Sequence, residues 1–230
     1  MPAPAETAPP PIPRLRDLLL AAVLYTAALF ALFSLLDPAF VARGETDARA
    51  FAGLQLVDDG ILAAIGLAFG RQRFPGSWRA LGLAAVRGRW VGLGLAGGVG
   101  AAAAAWAVSV ELARWGFTAP VHPVEAVLES ARGAGDVLVV LLTVTVPVPF
   151  AEEVFFRGFA YRLLRARWGP PAAMGVTAVG FALVHGLEPA AWLPVVPVGL
   201  VFALLAEGSG SLWPPVLAHS MVNGVALLAQ

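Results

Sequence analysis

The chain has no cysteine and no lysine, and few charges of either sign. Without thiols there is no disulfide, no thiolate nucleophile, no iron–sulfur cluster and no thiolate zinc site, so any catalysis must use histidine, carboxylate or hydroxyl groups. The redox compartment is left unread. The basic complement is arginine alone, 15 residues against 15 Asp plus Glu, with acids and bases interleaved and a net charge of zero, which disfavours nucleic acid as a partner. Only 13% of residues are charged, against about 25% in soluble proteins. What replaces them is apolar: 59% of the chain is hydrophobic and the mean hydropathy is +0.78. This is the composition of an integral membrane protein.

Residues 1–13 are rich in Pro and Ala, lack a basic n-region and read as a disordered tail, so the first helix is expected to stay in the mature chain. Apolar runs follow near 17–36, 50–70, 90–113, 137–161, 170–189, 190–206 and 212–229, several of them near the roughly 20 residues a crossing requires. The expected fold is therefore all-α, a polytopic transmembrane helical bundle of about seven spans (six to eight), forming one domain over residues 14–230. Ten arginines (14, 16, 71, 73, 79, 87, 89, 162, 165 and 167) fall on one side of these spans and four (43, 49, 114 and 132) on the other. The excess of positive charge inside then predicts a cytoplasmic N-terminus. With seven spans, the C-terminus lies outside.

Two features of the N-terminal half invite a reading. Asp58 and Asp59 interrupt the second run, either at a polar cavity or beside a helix break before Gly60; the break is the favoured reading. Gly92, Gly94, Gly97, Gly98 and Gly100, followed by five alanines, make a smooth surface for close helix approach rather than a phosphate-binding loop.

The chemistry concentrates further on. Within AEEVFFRGF, Glu152, Glu153 and Arg157 stand where hydrocarbon is expected, and a central charge costs about 2.5 to 3.5 kcal/mol on insertion scales. Residues four apart on a helix nearly eclipse, so Glu153 pairs with Arg157 while Glu152 points elsewhere, with no local cation. The pair reads as structural, a buried ion pair locking helices. Glu152, a lone carboxylate in a dry setting, suits a general base or proton carrier near neutral pH. Pro149 cannot donate a backbone hydrogen bond, and should kink or restart the helix where the carboxylates enter.

Of the three histidines, His122 lies in a loop, whereas His185 and His219 lie in separate apolar runs downstream of the acidic pair. A lone buried histidine is usually structural, but two in different spans are expected to converge with the carboxylates. Asn223 follows His219 by four and Phe181 precedes His185 by four, placing each on its histidine's helical face.

The boxes Pro149, Glu152-Glu153-x-x-x-Arg157-Gly158, Phe181-x-x-x-His185 and His219-x-x-x-Asn223, in this order, resemble the CPBP intramembrane proteases, which include the CAAX prenyl endopeptidases and the bacterial Abi proteins. The likeness covers roughly residues 145–226, within a catalytic core at about 140–230, and GSGSLWPPVLAH is similar to the family's run into its last motif. The N-terminal half carries no motif of the kind.

The resemblance implies a peptide-bond hydrolase with Glu152 as general base, His185 holding and polarising the attacking water, and His219 and Asn223 stabilising the oxyanion, supported by Glu153, Arg157 and Phe181. Fixed donors in a dry site suit that task. No cofactor is required outright. Glu152, His185 and His219 are also ligand types for a divalent metal such as zinc, and the sequence leaves both mechanisms open. The implied partners are the bilayer and a membrane-protein or peptide substrate, prenylated or bacteriocin-like. The Arg-rich, lysine-free composition points to a bacterial cytoplasmic membrane.

Two other classes compete. A proton-coupled transporter would use the same buried Glu and His as a relay, but no second acidic box appears in the N-terminal half, as an internal repeat would require. A non-catalytic membrane scaffold would function normally after Glu152→Ala. A depth count also strains the catalytic reading. At 1.5 Å per residue, Glu152 lies about 24 Å from Asp136 and His185 about 23 Å from Pro170. Across a core of about 30 Å the two miss by roughly 17 Å. The Pro147 and Pro149 break, tilt, or different span limits near 162–176 must close that gap.

Overall fold

A computed structural model describes residues 14–74, 78–118 and 123–229; the expected tail over 1–13 and the loop histidine His122 lie outside them. Among the described residues the chain is helical with no strand. In chain order the helices are α1 (Leu15–Leu35), α2 (Pro38–Arg43), α3 (Ala48–Arg73), α4 (Gly88–Arg114), α5 (Pro123–Glu129), α6 (Ala134–Thr145), α7 (Pro147–Glu153), α8 (Tyr161–Trp168), α9 (Pro170–Leu183), α10 (Pro189–Trp192), α11 (Val195–Ser209) and α12 (Trp213–Leu228). A 3₁₀ turn at Trp78–Leu81 precedes α4, and a π-helical segment, Val154–Ala160, joins α7 to α8.

The all-α polytopic bundle is as expected, but the spans divide differently. Five stretches are long and apolar enough to cross a membrane: Leu15–Leu35, Ala48–Arg73, Gly88–Arg114, the composite Ala134–Trp168, and Pro189–Ser209. The expected spans at 170–189 and 212–229 are helices of 14 and 16 residues. At 1.5 Å per residue they rise about 21 and 24 Å, short of a 30 Å core.

The depth conflict disappears for the same reason. The composite helix runs to Trp168, and Gly169, with φ of +79°, turns the chain directly into α9 at Pro170. Positive φ costs glycine nothing, and the prolines at the start of α9 have no N–H to lose. Counted from that shared turn, Glu152 lies 17 residues before Gly169 and His185 16 residues after it, so the two stand level. The mismatch came from ending the fourth span at residue 161 and measuring Glu152 from its far end.

No helix breaks at Gly60. Asp47 caps α3, accepting from the backbone N–H groups of Arg49 and Ala50, and the helix then runs 26 residues without interruption. The favoured reading of Asp58 and Asp59 is thus corrected: they occupy the middle of a continuous span.

The glycines of α4 bring backbones together. A Cβ on Gly94 would sit 2.8 Å from the Pro214 carbonyl oxygen and one on Gly98 2.6 Å from that of Ala218; one on Gly97 would meet Leu205 at 3.2 Å. Gly92 and Gly100 face open space. The packing reading therefore holds for three of the five: Gly94 and Gly98 seat α12, which carries His219, and Gly97 seats α11. The two termini of the bundle also differ in charge. Arg73, ending α3, bridges to Asp17 in the first turn of α1 at 2.7 Å, and Ser211 Oγ, past α11, donates to the Ala84 carbonyl just before α4 at 2.7 Å. This end gathers the ten arginines that the sequence places on one side.

Candidate active site

The site begins at a backbone fault. Val146, at φ −119° and ψ −74°, separates α6 from α7, and Pro147 and Pro149 contribute no N–H to the turn that follows. The break thus falls one turn ahead of the position expected for Pro149 alone. Carbonyls of the preceding turn must find donors elsewhere. Asn223, from α12, supplies one: its Nδ2 donates to the Val144 carbonyl at 2.8 Å. After Glu153 the helix widens into the π segment, where the Tyr161 N–H reaches back five residues to the Phe156 carbonyl. Such segments recur at functional sites.

Glu153 and Arg157 form the expected i,i+4 pair, Nη1 to Oε1 at 2.7 Å, with neither side chain exposed. Arg157 Nη2 donates to the Gly199 carbonyl at 3.0 Å, which ties α11 to the pair. Its guanidinium also lies 4.6 Å from the Phe181 ring centroid and 5.3 Å from that of Phe202. Aromatic faces are favourable neighbours for a desolvated cation.

His219 stands between the two carboxylates. Nδ1 is 3.2 Å from Glu153 Oε1 and Nε2 is 3.8 Å from Glu152 Oε2. A carboxylate accepts, so Nδ1 carries the proton toward Glu153 and Nε2 is turned to Glu152. Phe202 stacks on the imidazole at 4.9 Å and Phe181 meets it edge-on at 5.6 Å. The Glu152 side chain is 16% exposed where that of Glu153 is 0%, so Glu152 is the carboxylate open to a reactant. Its Oε2 is buried without a hydrogen-bond partner.

His185 lies in the turn after α9, exposed, with Nδ1 2.8 Å from the Phe181 carbonyl. A carbonyl only accepts, so Nδ1 donates and Nε2 is left free, the same tautomer logic as at His219. The Phe181 ring packs against both imidazoles, at 4.8 Å from His185. Phe181 therefore stands between the two histidines.

Arg157, Glu153, His219 and Glu152 form a chain of contacts in that order, with His185 joined to it through Phe181. Asn223 is held at the helix break. Among the described residues no three His or carboxylate side chains gather closely enough to hold a metal ion. Glu152, His185 and His219 as arranged do not form a three-ligand site.

Asp58 and Asp59, expected beside a helix break, lie in mid-helix. Asp59 is buried and accepts from Gln55 Nε2 at 2.8 Å. Asp58, beside it, accepts from the Tyr25 hydroxyl of α1. The signal was present: an acidic pair inside an apolar run is expensive wherever it falls. Nothing in the sequence marks Phe202 or the Gly199 carbonyl, ordinary members of an apolar helix.

Residues 134–225 match a family described as type II CAAX prenyl endopeptidase Rce1-like. The matched stretch contains Glu152, Glu153, Arg157, Phe181, His185, His219 and Asn223, and excludes Asp58 and Asp59. No curated protein and no solved structure matches the chain.

Proposed function

We propose that the chain, whose residues 134–225 match the type II CAAX prenyl endopeptidase Rce1-like family, is an intramembrane endopeptidase in which Glu152 activates the water that cuts a peptide bond of a membrane-associated substrate. The observation that carries the proposal is the meeting of Glu152 and His219, from different helices, at 3.8 Å in a site whose second carboxylate is already neutralised by Arg157. Each carboxylate keeps one buried oxygen without a hydrogen-bond partner, but only the Glu152 side chain is partly open, 16% exposed against 0% for Glu153.

In the proposed reaction a water lies against Glu152 and the free Nε2 of His185. Glu152 takes a proton from it as the oxygen attacks the scissile carbonyl, then returns that proton to the leaving amine as the C–N bond breaks. In this reaction His219 acts as imidazolium, with Nδ1–H held by Glu153 and Nε2–H available to the developing oxyanion beside the remaining N–H of Asn223. Arg157 keeps Glu153 charged and in place. The arginine-rich end of the bundle faces the cytoplasm in this reading, and the substrate is a lipidated protein or a bacteriocin-like peptide.

The test compares membrane-protein N-termini, by mass spectrometry, in cells making the wild type or Glu152→Gln at matched levels. General-base removal should lower cleavage about 10²- to 10⁴-fold. New termini present only with wild type support the proposal. Termini unchanged between the two would overturn Glu152 as the base.

A further inference from the structure

We propose that a second site, at the arginine-rich end of the bundle, binds a phosphate group. A cavity of about 380 Å³ opens there between the ends of α3, α8 and α11, with Arg157, Arg162, Arg165, Tyr161, Glu207 and Phe74 on its wall. Three guanidinium groups face one carboxylate. That carboxylate is fully engaged: Arg165 bonds both of its oxygens, at 2.7 and 2.8 Å, and the Tyr161 hydroxyl donates to one of them at 2.8 Å. Arg157 is neutralised by Glu153.

Arg162 is the remaining cation. Among the described residues it has no carboxylate partner; its Nη2 makes one long hydrogen bond, 3.3 Å to the Gly210 carbonyl, and its Nε is buried without an acceptor. Arg157 Nε is likewise buried without one. An uncompensated guanidinium at the edge of an apolar bundle is costly, and its planar donor fork matches phosphate oxygens two at a time. Phe74, Ala166 and Ala206 give the cavity an apolar side for the rest of the molecule. The phosphate belongs to an anionic lipid headgroup or to a soluble compound, and the experiment separates the two.

The experiment uses the full chain, purified in uncharged detergent. Native mass spectrometry counts retained phosphatidylglycerol against phosphatidylcholine, and a parallel titration uses inorganic phosphate alone, for wild type, Arg162→Gln, Arg162→Lys and Arg167→Gln. Arg167, exposed on the same helix outside the cavity, controls for general attraction. One phosphatidylglycerol held per chain, weakened about tenfold or more by Arg162→Gln and unaltered by Arg167→Gln, supports a lipid headgroup. The same pattern with inorganic phosphate supports a soluble source. Arg162→Lys, which keeps the charge and loses the fork, should fall between. Equal weakening by both glutamine variants, or no anion retained by the wild type, overturns the site. If Arg162→Gln does not fold, the lysine variant decides: binding as tight as wild type would overturn it.

Discussion

Eight residues apart on one helical run, Arg157 and Arg165 each hold a glutamate, and the two pairs could hardly sit in more different surroundings. Arg165 grips Glu207 with both edges of its fork, at 2.7 and 2.8 Å, yet its side chain is 49% exposed. Arg157 makes a single 2.7 Å contact to Glu153, with neither side chain exposed and phenylalanine rings around it. By geometry the outer pair is the better one. By energy the order reverses, because water and counterions can replace either partner outside and neither partner inside. The comparison also separates roles: the inner pair orients His219, while the outer pair leaves Arg162 as the open cation of a cavity.

The largest effect should come from removing one member of the inner pair. Arg157→Ala leaves Glu153 buried and uncompensated, and should cost about 3–5 kcal/mol in thermal unfolding of the solubilised protein. Glu153→Leu with Arg157→Met, apolar at both positions, should recover most of that stability while cleavage stays low, because His219 has lost its orienting acceptor. Recovery of cleavage as well would show that the pair is structural only. Glu152→Gln, which leaves the Glu153–Arg157 pair intact, should shift the unfolding temperature far less than Arg157→Ala.

Next comes the seat of α12. Gly98→Val forces a side chain into the Ala218 carbonyl, 2.6 Å from where its Cβ would stand, and backbone cannot yield as a side-chain tip can. A loss of about 3 kcal/mol follows from overpacking of this kind, with cleavage falling in step as His219 shifts. Gly100→Val, facing open space, is the matched control and should be neutral. Asn223→Ala should cost less, about 1–2 kcal/mol, by leaving the Val144 carbonyl without its donor. If it lowers cleavage far more than stability, the amide's second N–H serves the reaction as well.

Much of this was legible in the sequence, unevenly. Hydropathy yields an all-α membrane bundle because twenty apolar residues have few other fates, and the i,i+4 rule alone places Arg157 on Glu153. The acidic box and the two histidines were legible because charge in hydrocarbon demands a reason. Span lengths were not: a tight Gly169 turn and a helix running through to Trp168 move no residue's hydropathy, yet they bring Glu152 and His185 level. Asp58 and Asp59 were expected beside a helix break because Gly60 follows them, whereas α3 runs through without interruption. That Asn223 grips a carbonyl at the Val146 break could not be read at all, since it depends on two helices 79 residues apart.

The smallest effect belongs to the outer pair, and it is the sharper test of the contrast. Arg165→Ala removes two short hydrogen bonds, more than Arg157→Ala takes from Glu153, yet Tyr161 still donates to Glu207 and water reaches the rest. Exposed pairs contribute about 0.2–1 kcal/mol, so unfolding should shift by less than about 1 kcal/mol and the shift should shrink as salt is raised. Removing Arg165 also frees Glu207 within reach of the cavity, where it competes with an incoming phosphate for Arg162. Arg165→Ala should therefore weaken phosphatidylglycerol retention even while stability barely moves. A stability loss as large as that of Arg157→Ala would mean that contact geometry, and not burial, ranks the two pairs.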